Sequence, residues 1–452
     1  MMSVDWNAIG DEVVGYLQAL LRFDTTNPPG NEIQAANWLA EILGREGMEF
    51  VVLESAPGRG NIVARLRGTG EEEPILLMSH TDVVPVEPKK WDHPPFGGEI
   101  HEGYIWGRGA LDMKHIVSQH LMLMLLFKRL ADQGIRLKRD LIFMAAADEE
   151  RGGRFGAQWL VKTHPELIRA EYALNEGGGL TKKIGDALYM SIQTAEKGSS
   201  RFKLIARGEP GHASIPRRDN AVVKLAEAVV AIGQAKPPAH LTATVRAHIE
   251  ALASQQAPQL ANALRAILED EERVDEALER LPLDENKKRY LYAITHNTAS
   301  PTILKAGSKI NVLPSEAIAR VDARTLPGFT QREFEQEWST YVPEGVEMVF
   351  KRHHPGLEAD LESPFYDAIR DVVAEHAPNV TLVPILLTGG TDAKALVKLG
   401  TKVYGFSPAR YEAAVDGLQL IHGHNERISI NNLAFGVRVL YDVILRFCGA
   451  EK

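Results

Sequence analysis

Ile75-Leu76-Leu77-Met78-Ser79-His80-Thr81-Asp82 is the stretch on which the reading of this chain turns. Four apolar residues in an unbroken run, with no polar alternation, are the mark of a strand buried on both faces, and such strands belong to parallel sheets covered by helices. The run ends in a histidine and a carboxylate two positions apart, which an extended backbone places on one face. Ligands of open α/β sheets bind beyond the carboxyl ends of the strands. His80 and Asp82 therefore stand where ligand chemistry belongs.

The same kind of run recurs at Asn61 to Leu66, Leu141 to Ala146, Tyr172 to Leu174 and Val403 to Phe406. Helical spacing links them. Trp6, Ile9, Val13, Leu17 and Leu20 line one face of a first helix, and Ala35, Trp38, Leu39, Ile42 and Leu43 line a second. The turn Thr26-Asn27-Pro28-Pro29-Gly30 separates the two. Met113 to Leu130 is apolar nearly all round and is predicted to be a buried helix. These runs predict an α/β fold: a mainly parallel sheet with helices on both faces.

From about Glu196 the order changes to strand (Arg201 to Arg207), helix (Asn220 to Ile232), two strands (Ser300 to Ala306, Ala317 to Arg324), helix (Gln331 to Tyr341) and strand (Val346 to Lys351). That is a split-βαβ α+β unit able to fold by itself. Residues 1–195 and 354–452 are thus expected to form two parts of one domain, with 196–353 inserted as a lid. Pro258 to Thr295 reads as a charged helical embellishment whose Glu and Arg runs face solvent.

Composition narrows the function classes. At 452 residues more than one domain is expected. A net charge of -9 argues against a nucleic-acid partner, which needs a basic footprint. One cysteine, Cys448, excludes an intrachain disulfide and any Cys-based zinc site. The longest apolar stretch, Leu121 to Phe127, is too short to span a bilayer, and no basic leader precedes an apolar run, so a soluble cytoplasmic protein is the expectation.

Several acids repeat the placement of His80 and Asp82. Asp148-Glu149-Glu150 follows the run ending at Ala146, and Glu176 follows the run ending at Leu174, ahead of Gly177-Gly178-Gly179. Adjacent acids in a low-dielectric site repel unless a cation neutralises them. The three glycines would let backbone come close to whatever Glu176 binds. Asp112 opens the buried helix, where it suits either a cap or a carboxylate shared by two cations. His422 and His424, in Ile421-His422-Gly423-His424-Asn425-Glu426, compete as the late imidazole. Asp112, Glu150 and Glu176 bring three negative charges, two divalent ions four positive, and one bridging hydroxide closes the balance. Nitrogen and oxygen donors without sulfur suit zinc first, with manganese or cobalt as alternatives.

Taken together these residues resemble the dinuclear zinc peptidase and acylase family that includes acetylornithine deacetylase, succinyl-diaminopimelate desuccinylase, aminoacylase, carnosinase-type dipeptidases and glutamate carboxypeptidase. The motifs that carry the resemblance are Ser79-His80-Thr81-Asp82-Val83-Val84-Pro85, Trp91 to Gly97, Gly107-Arg108-Gly109 before Asp112, Asp148-Glu149-Glu150 and Pro210-Gly211-His212-Ala213-Ser214. The resemblance implies that His80 and Glu176 hold one metal, Glu150 and His422 the other, and Asp112 bridges them, with a cis peptide at Asp112-Met113. Asp82 would orient His80, and Glu149 would act as general base and acid. His422 takes precedence over His424 because the family's ligand stands four positions before the Glu matched by Glu426. His212 matches an imidazole that reaches a partner subunit's site to stabilise an oxyanion, so a homodimer through the lid is implied. Arg324 matches a guanidinium that grips a substrate carboxylate, and Asn311, Gly389, Gly390 and Thr391 match substrate-lining segments.

The leading reading is hydrolysis of an amide or peptide bond next to a free carboxylate, of carboxypeptidase or dipeptidase type, on a small peptide. A deacylase acting on N-acyl amino acids is the alternative, since it uses the same machinery. A catalytically silent binding protein on this fold is a third reading, and it predicts a lost ligand or base that this sequence does not show.

Overall fold

The computed structural model describes residues 4–413, 415 and 417–451. Local signals start the elements as read. Asp5 caps helix Trp6–Leu21, its carboxylate accepting from the amides of Asn7 and Ala8. Helix Lys114–Ala131 has every residue from Lys114 to Phe127 buried, as an all-round apolar pattern requires.

The chain divides into two compact units, residues 1–194, 359–383 and 391–452 in the first, and 195–358 with 384–390 in the second. Across the sheet of the first unit the strands run Glu49–Glu54, Gly60–Leu66, Arg139–Ala146, Glu72–His80, Tyr172–Asn175, Lys402–Gly405 and Ala187–Glu196. The four in the centre pair parallel. Antiparallel partners flank them on either side. Ile75 and Leu77 join the main apolar core with helices Trp6–Leu21, Lys114–Ala131 and Ile430–Cys448. Leu76 and Met78 point to the opposite face, yet they too are buried, so helices and loops cover both faces.

In the second unit, strands Thr298–Ala306, Glu316–Thr325, Phe202–Arg207 and Val346–Phe350 lie side by side, all antiparallel. Helices Ala221–Gly233 and Gln331–Ser339 pack on one face through Leu225, Ile232, Phe334 and Trp338. The helical stretch within this unit starts earlier than its charge pattern suggested, at Ala243, and builds a core of its own from Val245, Ile249, Leu264, Ile267, Leu278 and Ile294. Its Glu271-Glu272-Arg273 run does face solvent. Apolar residues at helical spacing between the charges supply the core that the charge runs disguise.

One buried ion pair fixes the loop between the site and the late imidazole. Glu426 is fully buried, and its two carboxylate oxygens accept from the amides of Gly109, Leu111 and Asp112 and from Arg108 Nη1 at 2.6 Å. Arg108 Nη2 in turn donates to the carbonyls of Gly423, at 2.8 Å, and His422. Chain segments more than three hundred residues apart are thereby held as one piece. Glu426→Ala leaves the guanidinium and three amides without their partner in the interior, so a loss of about 3–5 kcal/mol is expected. Urea denaturation checks it, and an unchanged midpoint would show that water replaces the carboxylate.

Candidate metal centre

Parallel pairing brings the strand ends level. His80 lies opposite Ala146 in register, so the segment after each strand opens on the same edge of the sheet, and Glu176 follows Asn175 at the end of the next strand. His80 is buried, its Nδ1 lying 3.0 Å from the carbonyl oxygen of Asp82 and 3.4 Å from Asp82 Oδ1. A proton on Nδ1 satisfies both acceptors, which assigns the tautomer and leaves the Nε2 lone pair free. Nε2 stands 3.2 Å from Asp112 Oδ1 and 3.6 Å from Glu176 Oε1.

Asp82 also sets the two glutamates. Its Oδ1 accepts from the Glu149 amide and its Oδ2 from the Glu150 amide and Asn27 Nδ2. Asp112 Oδ2 faces His422 Nε2 at 3.0 Å, and His422 Nε2 is 3.2 Å from Glu150 Oε2. Asp112 thus has an imidazole against each oxygen. Its peptide bond to Met113 is cis. His424 turns away, to Glu87 at 3.4 Å. His422 adopts a left-handed backbone, φ 59°, in the loop that Arg108 holds.

Electrostatics at this edge call for cations. Burial, with the charges of Glu176 and Asp392 adding to it, holds Glu149 well above the usual carboxylate range. Burial does the same to Glu176, helped by Asp112 and Glu150. Hydrogen bonds to Asp112 and Glu150 push His422 up to about 10. Against its burial, Glu176 and Asp112 raise His80 well above an ordinary imidazole. These shifts share one cause, carboxylates gathered with too little positive charge beside them. Among the described residues the buried Glu150 Oε1 has no hydrogen-bond partner, which a native interior rarely tolerates.

The donor set fits divalent ions. His80, Asp112 and Glu150 offer donor atoms that all lie within 4.8 Å of one another, and so do His80, Glu149 and Glu176. With His422 added, these are imidazole nitrogens and carboxylate oxygens of the kind zinc, manganese or cobalt accept.

One expectation changes. Asp148 does not share the crowding of Glu149 and Glu150, because Arg59 Nη2 and Asn27 Nδ2 both donate to its Oδ1 and the Phe155 amide to its Oδ2. Its charge is met by Arg59, which Glu32 holds in a two-point pair. The triple glycine after Glu176 also has a reason within the sheet. A Cβ on Gly178 would fall 2.3 Å from the Gly405 carbonyl, and one on Gly179 2.0 Å from that of Ser407. Neighbouring backbone by itself excludes a side chain at these two positions.

Asn27, Glu32 and Arg59 carry no mark in the sequence. Asn27 sat in a turn that read only as a helix stop, and the Arg59 partners lie far along the chain. Thr391 comes to the end of the strand that precedes Glu176, its Oγ1 accepting from Asn175 Nδ2 at 2.9 Å. It also accepts from the Ala393 amide, a capping contact. His212 and Asn311 are neighbours within the second unit: strand Gly211–His212 pairs with Val312–Leu313, and the Ala213 amide donates to the Asn311 carbonyl. His212 is exposed, with Nδ1 2.7 Å from Ser214 Oγ. Arg324, also in the second unit, pairs with Asp322 at 3.3 Å. Gly389 and Gly390 follow strand Val380–Leu387 in an open turn.

Residues 76–446 match the sequence pattern of peptidase family M20/M25/M40. The chain is 29% identical over 400 residues to a probable carboxypeptidase S-like 2 of Dictyostelium discoideum, covering 85% of this chain and 74% of the relative. It is 30% identical over 429 residues to aminoacylase-1 of Mus musculus, covering 93% and 91%. In fold it is similar to a M20 family metallo-carboxypeptidase of Sulfolobus solfataricus, with a TM-score of 0.69 at 18% identity over 97% of this chain and 99% of the other. It is also similar to human carnosine dipeptidase 1, with a TM-score of 0.64 at 15% identity over 98% of both chains. Among the described residues no helix is long and apolar enough to cross a membrane. The chain belongs to peptidase family M20/M25/M40.

Proposed function

We propose that this chain hydrolyses an amide or peptide bond adjacent to a free carboxylate, with small peptides as its leading substrates. The observation that carries the reading is the convergence of His80, Asp112, Glu150, Glu176 and His422 on one strand edge, with Glu149 beside them. His80 and Glu176 would hold one ion, Glu150 and His422 the other, and Asp112 both. Two divalent ions, zinc first and manganese or cobalt next, lower the pKa of water and polarise an attacked carbonyl when bound.

The protein's own groups do the rest. Asp82 keeps the proton of His80 on Nδ1, so that Nε2 presents its lone pair. Glu149, held above the usual carboxylate range by burial, takes the proton of the attacking water and returns it to the departing nitrogen. Arg324 is assigned the substrate carboxylate, which its planar fork fits, and His212 the developing oxyanion. Asn311, Gly389, Gly390 and Thr391 are assigned to the substrate's surroundings. These second-unit roles rest on the motifs quoted above.

Assembly is part of the reading. The edge strand Thr298–Ala306 exposes Ile303 and Leu304, and helix Ala221–Gly233 exposes Val222, Val223 and Val230. Such apolar residues on one small unit support a homodimer through the lid. A cytoplasmic location accords with a lone cysteine and no need of disulfides. Deacylation of N-acyl amino acids is the second reading, supported by the likeness to aminoacylase-1 across nearly the whole chain.

Hydrolysis of dipeptides beside N-acetyl and N-succinyl amino acids, by chelated protein reloaded with zinc, manganese or cobalt, tests the reading. Metal-restored cleavage is expected, and the preferred half of the panel separates peptidase from deacylase. No cleavage of either half with metal bound would contradict it. Glu149→Ala is expected to keep both metal equivalents while turnover falls by about 10²–10⁴-fold. Glu150→Ala is expected to lose metal instead. Since Glu149 also lies within reach of an ion, metal loss in Glu149→Ala would reassign it as a ligand. Mixing His212→Ala with Glu149→Ala subunits is expected to regain part of the activity, because heterodimers contain one intact composite site. No recovery after proven subunit exchange would place the His212 contribution elsewhere.

A further inference from the structure

Lys197 is folded into the interior of the second unit, 1% exposed. Its Nζ donates to the carbonyls of Ala293 at 2.8 Å and His296 at 2.7 Å, and to Thr298 Oγ1 at 3.1 Å. Among the described residues no carboxylate pairs with it, although a lysine is almost never fully buried without such a partner. Arg324, from strand Glu316–Thr325, repels its charge, and Glu337, from helix Gln331–Ser339, is the acid that attracts it. Glu337 is already engaged, with Oε2 2.9 Å from His240 Nε2 and Oε1 accepting from Asn297 Nδ2. His296, whose carbonyl Lys197 uses, stacks on Tyr292 and turns Nε2 to Asp275 at 3.3 Å. The segment at Leu387 brings only a carbonyl, which accepts from the Lys197 amide.

Register ties this amine to Arg324. Strand Gly198–Ser199, which begins at the residue after Lys197, places Ser199 opposite Arg324 on one side. Strand Thr298–Ala306 places Thr298 opposite it on the other. Directly opposed residues share a face of the sheet, so Thr298 and Arg324 stand side by side. Lys197 thus reaches from one neighbour of the Arg324 strand to the other, and the hydroxyl it meets there belongs to the cross-strand partner of Arg324. The Arg324 side chain is 27% exposed and lies 3.3 Å from Asp322 Oδ2, while Arg201 takes Oδ1 of the same carboxylate at 2.9 Å. One acid answers two guanidiniums, with the amine beside them.

We propose that Lys197 is a positioning residue of the carboxylate subsite: it fixes both strands that flank Arg324 and adds buried positive charge that a bound substrate carboxylate neutralises. This role rests on the assignment of Arg324 to the substrate carboxylate. The three partners of Nζ suit either protonation state. The ammonium donates to all three, whereas the neutral amine donates to two carbonyls and accepts from the Thr298 hydroxyl. Burial first, and then Arg324, lowers the amine to about 7, with Glu337 working against them. A carboxylate arriving at Arg324 offsets the guanidinium charge and favours the ammonium, so binding takes up a proton. Affinity for a carboxylate is therefore full below about pH 7 and weakens as pH rises through it.

Steady-state kinetics of the metal-loaded full chain on L-alanyl-L-alanine and N-acetyl-L-alanine, each beside its C-terminal carboxamide, test this. In Lys197→Met the preference in kcat/KM for acid over amide is expected to fall roughly tenfold, through KM, with the metal count unchanged. A general loosening of the fold lowers acid and amide alike, so an unchanged ratio would overturn the proposal. Glu337→Gln can retain the contacts to Asn297 and His240 while removing the attracting charge. The rise of KM for the acid is then expected to begin at lower pH than in the parent, and a coincident onset would count against the role of Lys197 as well. Arg324→Ala keeps the two readings apart. A raised KM for the acid there, with Lys197→Met like the parent, removes the Lys197 role alone, whereas an unchanged KM in Arg324→Ala removes the carboxylate assignment and the Lys197 role with it.

Discussion

Repulsion among carboxylates that the fold forces together is the constraint around which the first unit is organised. The parallel strands Arg139–Ala146, Glu72–His80 and Tyr172–Asn175 end close to level, so the acids that follow them cannot spread apart without losing the strand pairing. Asp112, Glu149, Glu150 and Glu176 gather there with the imidazoles of His80 and His422 beside them, and the upward shifts of Glu149, Glu176 and His422 mark the unmet demand for positive charge. The two divalent ions proposed for this edge would answer that demand with the donors already in place. The orphaned Glu150 Oε1 has the same explanation.

Around this edge, three further acids are matched by an arginine, by amides or by both. Asp148 is held by Arg59 and Asn27, Glu32 by Arg59, and Glu426 by Arg108 and three amides. These pairs are buried, so their worth lies less in net stability than in fixing which carboxylates face inward. Asp82 joins the two groups. It lies against His80 Nδ1 on one side and accepts the amides of Glu149 and Glu150 on the other, so that the proposed ligand and the proposed base are set by one residue.

The parts of this arrangement that were legible in the sequence are local ones. An apolar run ending in His80-Thr81-Asp82 states both the strand and the side on which its last residues emerge. The buried helix after Asp112 was readable for the same reason. Pairing direction is not a local property, and the antiparallel strands Glu49–Glu54 and Ala187–Glu196 left no such mark. Nor can three consecutive acids be told apart by their neighbours in sequence: Asp148 is drawn away by Arg59, a residue 89 positions distant. The crowding of the glycines after Glu176 by the strand that ends at Gly405 is visible only in three dimensions. The preference for His422 over His424 rests on a family spacing; in the structure His422 Nε2 lies 3.0 Å from Asp112 Oδ2, while His424 lies against Glu87.

The most direct measurement of the central claim is anomalous diffraction above the zinc absorption edge from a crystal of the full chain grown with zinc. The account predicts two strong peaks at the strand edge, one bounded by His80, Asp112 and Glu176 and the other by Asp112, Glu150 and His422. A map with no peak between these carboxylates, at full zinc saturation, would contradict it.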